Sequence, residues 1–133
     1  MCEIDCRMLP GTTAEQMVKT IETILLDKGC SEFTIQILHS SHPSESSLET
    51  PLYTLFENSL KKHDPRAKLV PYMSSGATDS RFFRERGIIA YGMQMESSLT
   101  SMELMHGHNE RIAIRNLITG IKVLYDTLQE FCR

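Results

Sequence analysis

SGATDSRFFRERGIIAYG, residues 75–92, carries the pattern from which the fold is read. It opens with a turn of small residues, Ser75-Gly76-Ala77-Thr78, which bends easily and lets a ligand approach the backbone. Asp79 to Arg86 then reads as a short helix. Gly87 stops it, because glycine accepts the left-handed conformation that closes a helix. Ile88 to Met93 follows as a buried strand. A turn, helix and strand in this order belong to layered α/β folds.

The alternation continues in both directions. Upstream, Lys68 to Met73 reads as a strand with Pro71 near its end or at an edge. Before it, Thr50-Pro51 opens a helix, with Thr as cap and Pro at the first position. Leu52, Leu55, Phe56 and Leu60 form its buried stripe, and His63-Asp64-Pro65 closes it. Residues 40–50, SSHPSESSLET, read as a linker or an ordered crossing between two substructures. Phe33, Ile35 and Ile37 alternate with Thr34 and Gln36 as a strand. Ala14, Met17, Val18, Ile21, Ile24 and Leu25 recur at helical spacing, between a capping box at Thr12 and Glu15 and a stop at Gly29. Residues 1–8 place Ile4, Cys6 and Met8 on one side and Glu3, Asp5 and Arg7 on the other, a strand with one wet face. Downstream, 94–110 is irregular. The last helix runs from Ile114 to Phe131, with Leu117, Ile118, Ile121, Leu124, Tyr125 and Leu128 on one face.

Composition narrows the function. With 41% apolar residues the chain can bury a core. A net charge of -3 argues against nucleic acid and anionic membrane as partners. Apolar runs are too short to span a bilayer. The start, MCEIDCRM, has acids where a secretory signal needs a basic region. Cys2, Cys6, Cys30 and Cys132 form no Cys-x-x-Cys pair and no zinc-knuckle spacing, so reduced thiols and a cytoplasmic setting are expected.

Three segments hold residues suited to chemistry. His106-Gly107-His108-Asn109-Glu110 precedes the last helix, and His106 and His108 would share a face of an extended backbone. They read either as metal ligands or as solvated loop histidines. The turn at Gly76, Ala77 and Thr78 leads into a helix start, where backbone N–H groups attract anions; Asp79 reads equally as a simple cap. Arg7 reads as a surface charge or as a two-pronged grip on a carboxylate.

Taken together, DCRMLPGTT, SGATDSRFFRERGIIAYG and MHGHNERIAIRNLITG resemble successive landmarks of the zinc aminoacylase, glutamate carboxypeptidase and succinyl-diaminopimelate desuccinylase family. The resemblance covers essentially the whole chain. It implies an α/β architecture in which residues 1–40 are the second half of a lid, or dimerisation, domain and residues 48–133 are the C-terminal part of the catalytic domain. It implies zinc as cofactor, His106 as the family's last metal ligand, and Arg7 with Gly76, Ala77 and Thr78 as the cradle for a carboxylate-bearing small molecule. His108 falls at a variable position. Asp79, Arg81 and Glu110 match motif positions with binding and supporting roles both open.

The same resemblance shows what the chain lacks. The family's His-x-Asp pair, which holds metal, and its Glu-Glu pair, which supplies the general base, occur nowhere in the 133 residues. A catalytic zinc needs about three protein ligands and a carboxylate to move the proton, so no residue here is assigned a catalytic role. The expected function is therefore a portion of an amidohydrolase for N-acyl amino acids or small peptides, inactive alone. The alternative is a non-catalytic dimerisation or regulatory module of the same descent. Apolar faces left uncovered would make it a homodimer or otherwise self-associating.

Overall fold

The computed structural model describes residues 1–74, 76–95 and 104–133. Ser75 of the turn and residues 96–103 of the expected irregular stretch lie outside the described residues. Among the described residues the secondary structure is helical: α1 (Ala14–Asp27), α2 (Pro51–His63), α3 (Ser80–Arg84) and α4 (Ile114–Phe131). The chain divides into two compact units. One joins Met1–Ser46 with Ser74–Ala90, the other Ser47–Met73 with Tyr91–Arg133. The first change of unit falls inside the serine-rich crossing.

In the first unit, α1 starts one residue later than the sequence suggests. Thr13 Oγ1 accepts the Gln16 N–H at 3.2 Å, and Gln16 Oε1 accepts the Thr13 N–H at 2.9 Å. The capping box is thus Thr13 with Gln16, in place of Thr12 with Glu15. The reason is local: the Thr12 N–H closes the Pro10-Gly11 turn onto the Leu9 carbonyl at 3.1 Å, with Gly11 at φ 86. At the other end Gly29, φ 80, donates to the Leu26 carbonyl while Cys30 donates to that of Leu25, both at 2.9 Å. This pair of bonds satisfies carbonyls that the helix end orphans. The same device closes α3, where Gly87 donates to the Arg84 carbonyl at 2.9 Å and Ile88 to that of Phe83 at 3.0 Å.

Arg84 ties this unit together. Its Nη2 and Nε donate to the Ala90 carbonyl at 2.7 and 3.0 Å, its Nε also reaches Ser46 Oγ at 3.2 Å, and its Nη1 donates to the Ser44 carbonyl at 3.2 Å. Ser46 Oγ in turn accepts the Ala90 N–H at 3.1 Å. One guanidinium, with five donors in a fixed fork, therefore clamps the crossing to the segment after α3.

In the second unit, Thr50 caps α2 as the sequence indicates, accepting the Tyr53 N–H at 3.1 Å behind Pro51 at the first turn. The Thr50 hydroxyl donates onward to Tyr91 Oη at 2.6 Å, and Tyr91 donates to the Ser47 carbonyl at 2.6 Å. This chain of donors leaves the buried Thr50 fully used. The Tyr91 ring also meets Tyr53 and Phe56 edge-on, with centroids at 5.8 and 6.4 Å.

Helices α2 and α4 pack on small side chains. Ser59, Leu60, Val123 and Thr127 are buried between them, Val123 and Thr127 to 1% exposure. The Val123 carbonyl accepts both the Ser59 hydroxyl at 3.0 Å and the Thr127 hydroxyl at 2.7 Å, so the buried hydroxyls are satisfied. Gly120 belongs to the same unit. A Cβ there would stand 2.8 Å from Met95 Cγ, so glycine makes room for that methionine. Of the stripe Leu52, Leu55, Phe56 and Leu60 expected to be buried on α2, only Leu60 is fully so; the others are half-buried.

Asp126 of α4 closes the far end of this pair. Its Oδ2 accepts from Lys62 Nζ at 2.6 Å and lies 2.9 Å from His63 Nε2. The hydrogen bond from Lys62, then that from His63, holds its carboxyl below the ordinary value against a smaller opposing desolvation. A carboxyl with a depressed folded pKa stabilises above its unfolded value, near 4, and that contribution is lost as pH falls through the folded value. Urea unfolding of the wild type is therefore expected to weaken more steeply on acidification from about pH 5 than that of Asp126→Asn. Parallel pH curves for the two proteins refute the linkage.

The expected α/β layering is not confirmed among the described residues. Among the described residues no strand is present, although 1–8, 33–37, 68–73 and 88–93 were expected to form them. A strand exists only when a neighbour takes its N–H and C=O groups, and these segments have no such ladder here. Their apolar residues are correspondingly open: Ile4, Ile37, Val70, Ile88 and Ile89 are all exposed.

Candidate functional site

Arg7 lies on the N-terminal segment with its Nη2 2.5 Å from Asp5 Oδ2. Two residues apart, the pair shares one side of the segment, as the sequence alternation places them. Both side chains are more than half exposed, so the pair is held weakly against water. The guanidinium thus already engages a carboxylate, the chemistry it would use on a substrate.

The turn at Gly76, Ala77 and Thr78 is exposed along its length. Gly76 donates its N–H to Ser74 Oγ at 3.1 Å, and the Thr78 carbonyl accepts from Arg81 at 3.3 Å. Asp79 occupies the cap position of α3 with helical φ −65 and ψ −14, and its side chain makes no cap hydrogen bond. Cap residues ordinarily have extended dihedrals that bring the side chain back over the helix end, so Asp79 does not perform the simple capping role. Arg81 stacks its guanidinium 4.6 Å above the Phe82 ring. With five residues, α3 is too short for its dipole alone to define an anion site.

His106 sits in the turn before α4 with φ 61, and Asn109 follows with φ 62. Two left-handed non-glycine residues three apart are uncommon, though His and Asn tolerate this conformation better than most. Between them the Gly107 N–H donates to the Leu104 carbonyl at 2.9 Å. A Cβ at Gly107 would stand 3.2 Å from that carbonyl oxygen, so the turn is tight. His106, His108 and Glu110 are exposed. Arg7 and the 76–81 turn belong to the first unit, His106 and Glu110 to the second.

Among the described residues no three His, Cys, Asp or Glu side chains converge as a metal centre requires. The described donor set therefore does not fit a complete zinc site. The four cysteines are free.

Sequence reasoning passed over Arg84, Ser46 and Tyr91, which make polar contacts far along the chain. Their partners lie up to 44 positions away in the chain, and no local periodicity signals contacts at that range. The serine-rich composition of 40–50 was the one available hint, since hydroxyls and open carbonyls suit a guanidinium.

The chain belongs to Peptidase family M20/M25/M40, whose pattern matches residues 4–130. This is a hydrolase family of metallopeptidase and aminoacylase type. Within it, the chain is similar to Aminoacylase-1 of Dictyostelium discoideum, 27% identical over 119 residues. That match covers 90% of this chain and 28% of the relative, so the chain spans under a third of that protein's length. No solved structure matches it. No described helix is long and apolar enough to cross a membrane.

Proposed function

We propose that this chain supplies the C-terminal part of a cytoplasmic zinc amidohydrolase that cleaves amide bonds of N-acyl amino acids or small peptides, and that it does not hydrolyse them alone. One observation carries the reading: a family match over residues 4–130 in a sequence with neither His-x-Asp nor Glu-Glu. In this reading residues 1–40 are the second half of the lid domain and 48–133 the C-terminal part of the catalytic domain. The segments 1–8, 33–37, 68–73 and 88–93 pair into strands once neighbouring strands are supplied, which restores the α/β layers. Arg7 grips the substrate carboxylate, and Gly76, Ala77 and Thr78 bound the substrate through backbone groups and the threonine hydroxyl. His106 contributes one ligand to zinc, which when bound supplies an acidified water and a polarised carbonyl.

Zinc titration of the metal-free chain by calorimetry tests this. Weak binding of less than one equivalent is expected, falling further in His106→Ala, together with no amidase activity toward N-acetyl amino acids in the presence of zinc. Tight stoichiometric zinc, or turnover by the chain alone, refutes it. The second reading, a non-catalytic association module, is favoured by one feature, the open apolar face of α4.

A further inference from the structure

We draw no further inference here: the strongest candidate, the cleft at the start of α1 where Thr12, Thr13, Ser40, Ser41 and His42 gather, rests on a helix N-terminus that the chain's own capping box of Thr13 and Gln16 already serves, and among the described residues no second observation points to a ligand there.

Discussion

Val123→Asp is expected to separate α2 from α4 and to unfold the second unit under conditions where the wild type is folded. Val123 is 1% exposed, and with Leu60 it makes up the fully buried hydrophobic core among the described residues. An aspartate there would lose the apolar contact and place a carboxylate between two helices without a donor to receive it. An unpaired buried charge costs several kcal/mol or forces its own protonation. Against the marginal stability of a small unit, a loss of at least about 3 kcal/mol abolishes the cooperative transition. Val123→Ala, which deletes two methyl groups and keeps the carbonyl that Ser59 and Thr127 bond, should cost less, about 1–3 kcal/mol. Urea unfolding followed at 222 nm separates the two. A Val123→Asp protein with wild-type midpoint would show that α2 and α4 do not depend on this contact.

Arg84→Ala is expected to be the most damaging single change in the first unit. It removes charge-assisted hydrogen bonds to the Ser44 and Ala90 carbonyls and to Ser46 Oγ. Bonds of this kind contribute about 1.5–3 kcal/mol each in favourable cases, and they are not additive. A net loss of roughly 2–4 kcal/mol is expected because the side chain is only half-buried and water can replace part of what is lost. Arg84→Lys should recover little, since an ammonium is a single point donor and cannot span both segments. Amide exchange provides the local reading: the Ala90 N–H, which now donates to Ser46 Oγ at 3.1 Å, should lose protection in Arg84→Ala. Full rescue by lysine, or unchanged exchange at Ala90, would show that the clamp holds nothing.

Both residues lay outside what the sequence pattern reveals, and for the same reason. Helix α4 displays its strongest periodicity in Leu117, Ile118, Ile121, Leu124, Tyr125 and Leu128, the residues that α2 leaves uncovered. A hydrophobic stripe reports where a helix would bury area, and says nothing of which neighbour is there to bury it. The neighbour that is present, α2, meets Val123 and Thr127, whose smallness allows close approach and whose hydroxyl finds a carbonyl. The expected strands go unconfirmed on the same logic. Alternation at Ile4, Cys6 and Met8 or Phe33, Ile35 and Ile37 describes a face that could lie in a sheet. Whether it does depends on backbone partners elsewhere.

Caps and stops were legible because their chemistry is local. Thr50 and Pro51 begin α2 and Gly29 and Gly87 end α1 and α3 through bonds that reach no more than five residues. The one-residue shift of the α1 box came from competition for the Thr12 N–H by an adjacent turn, a contest the pattern alone does not judge. The family was legible too, since ordered motifs survive in the primary structure whatever surrounds them.

The sequence by itself determined the helices, most of their ends, the family and the absence of a His-x-Asp or Glu-Glu element, all of which depend on residues near one another in the chain. Only the tertiary structure decided which face of α4 is covered, that Arg84 binds the crossing, and that the alternating segments stand without a sheet. Those outcomes rest on contacts between distant segments, whose free energy depends on a partner's presence and not on local pattern.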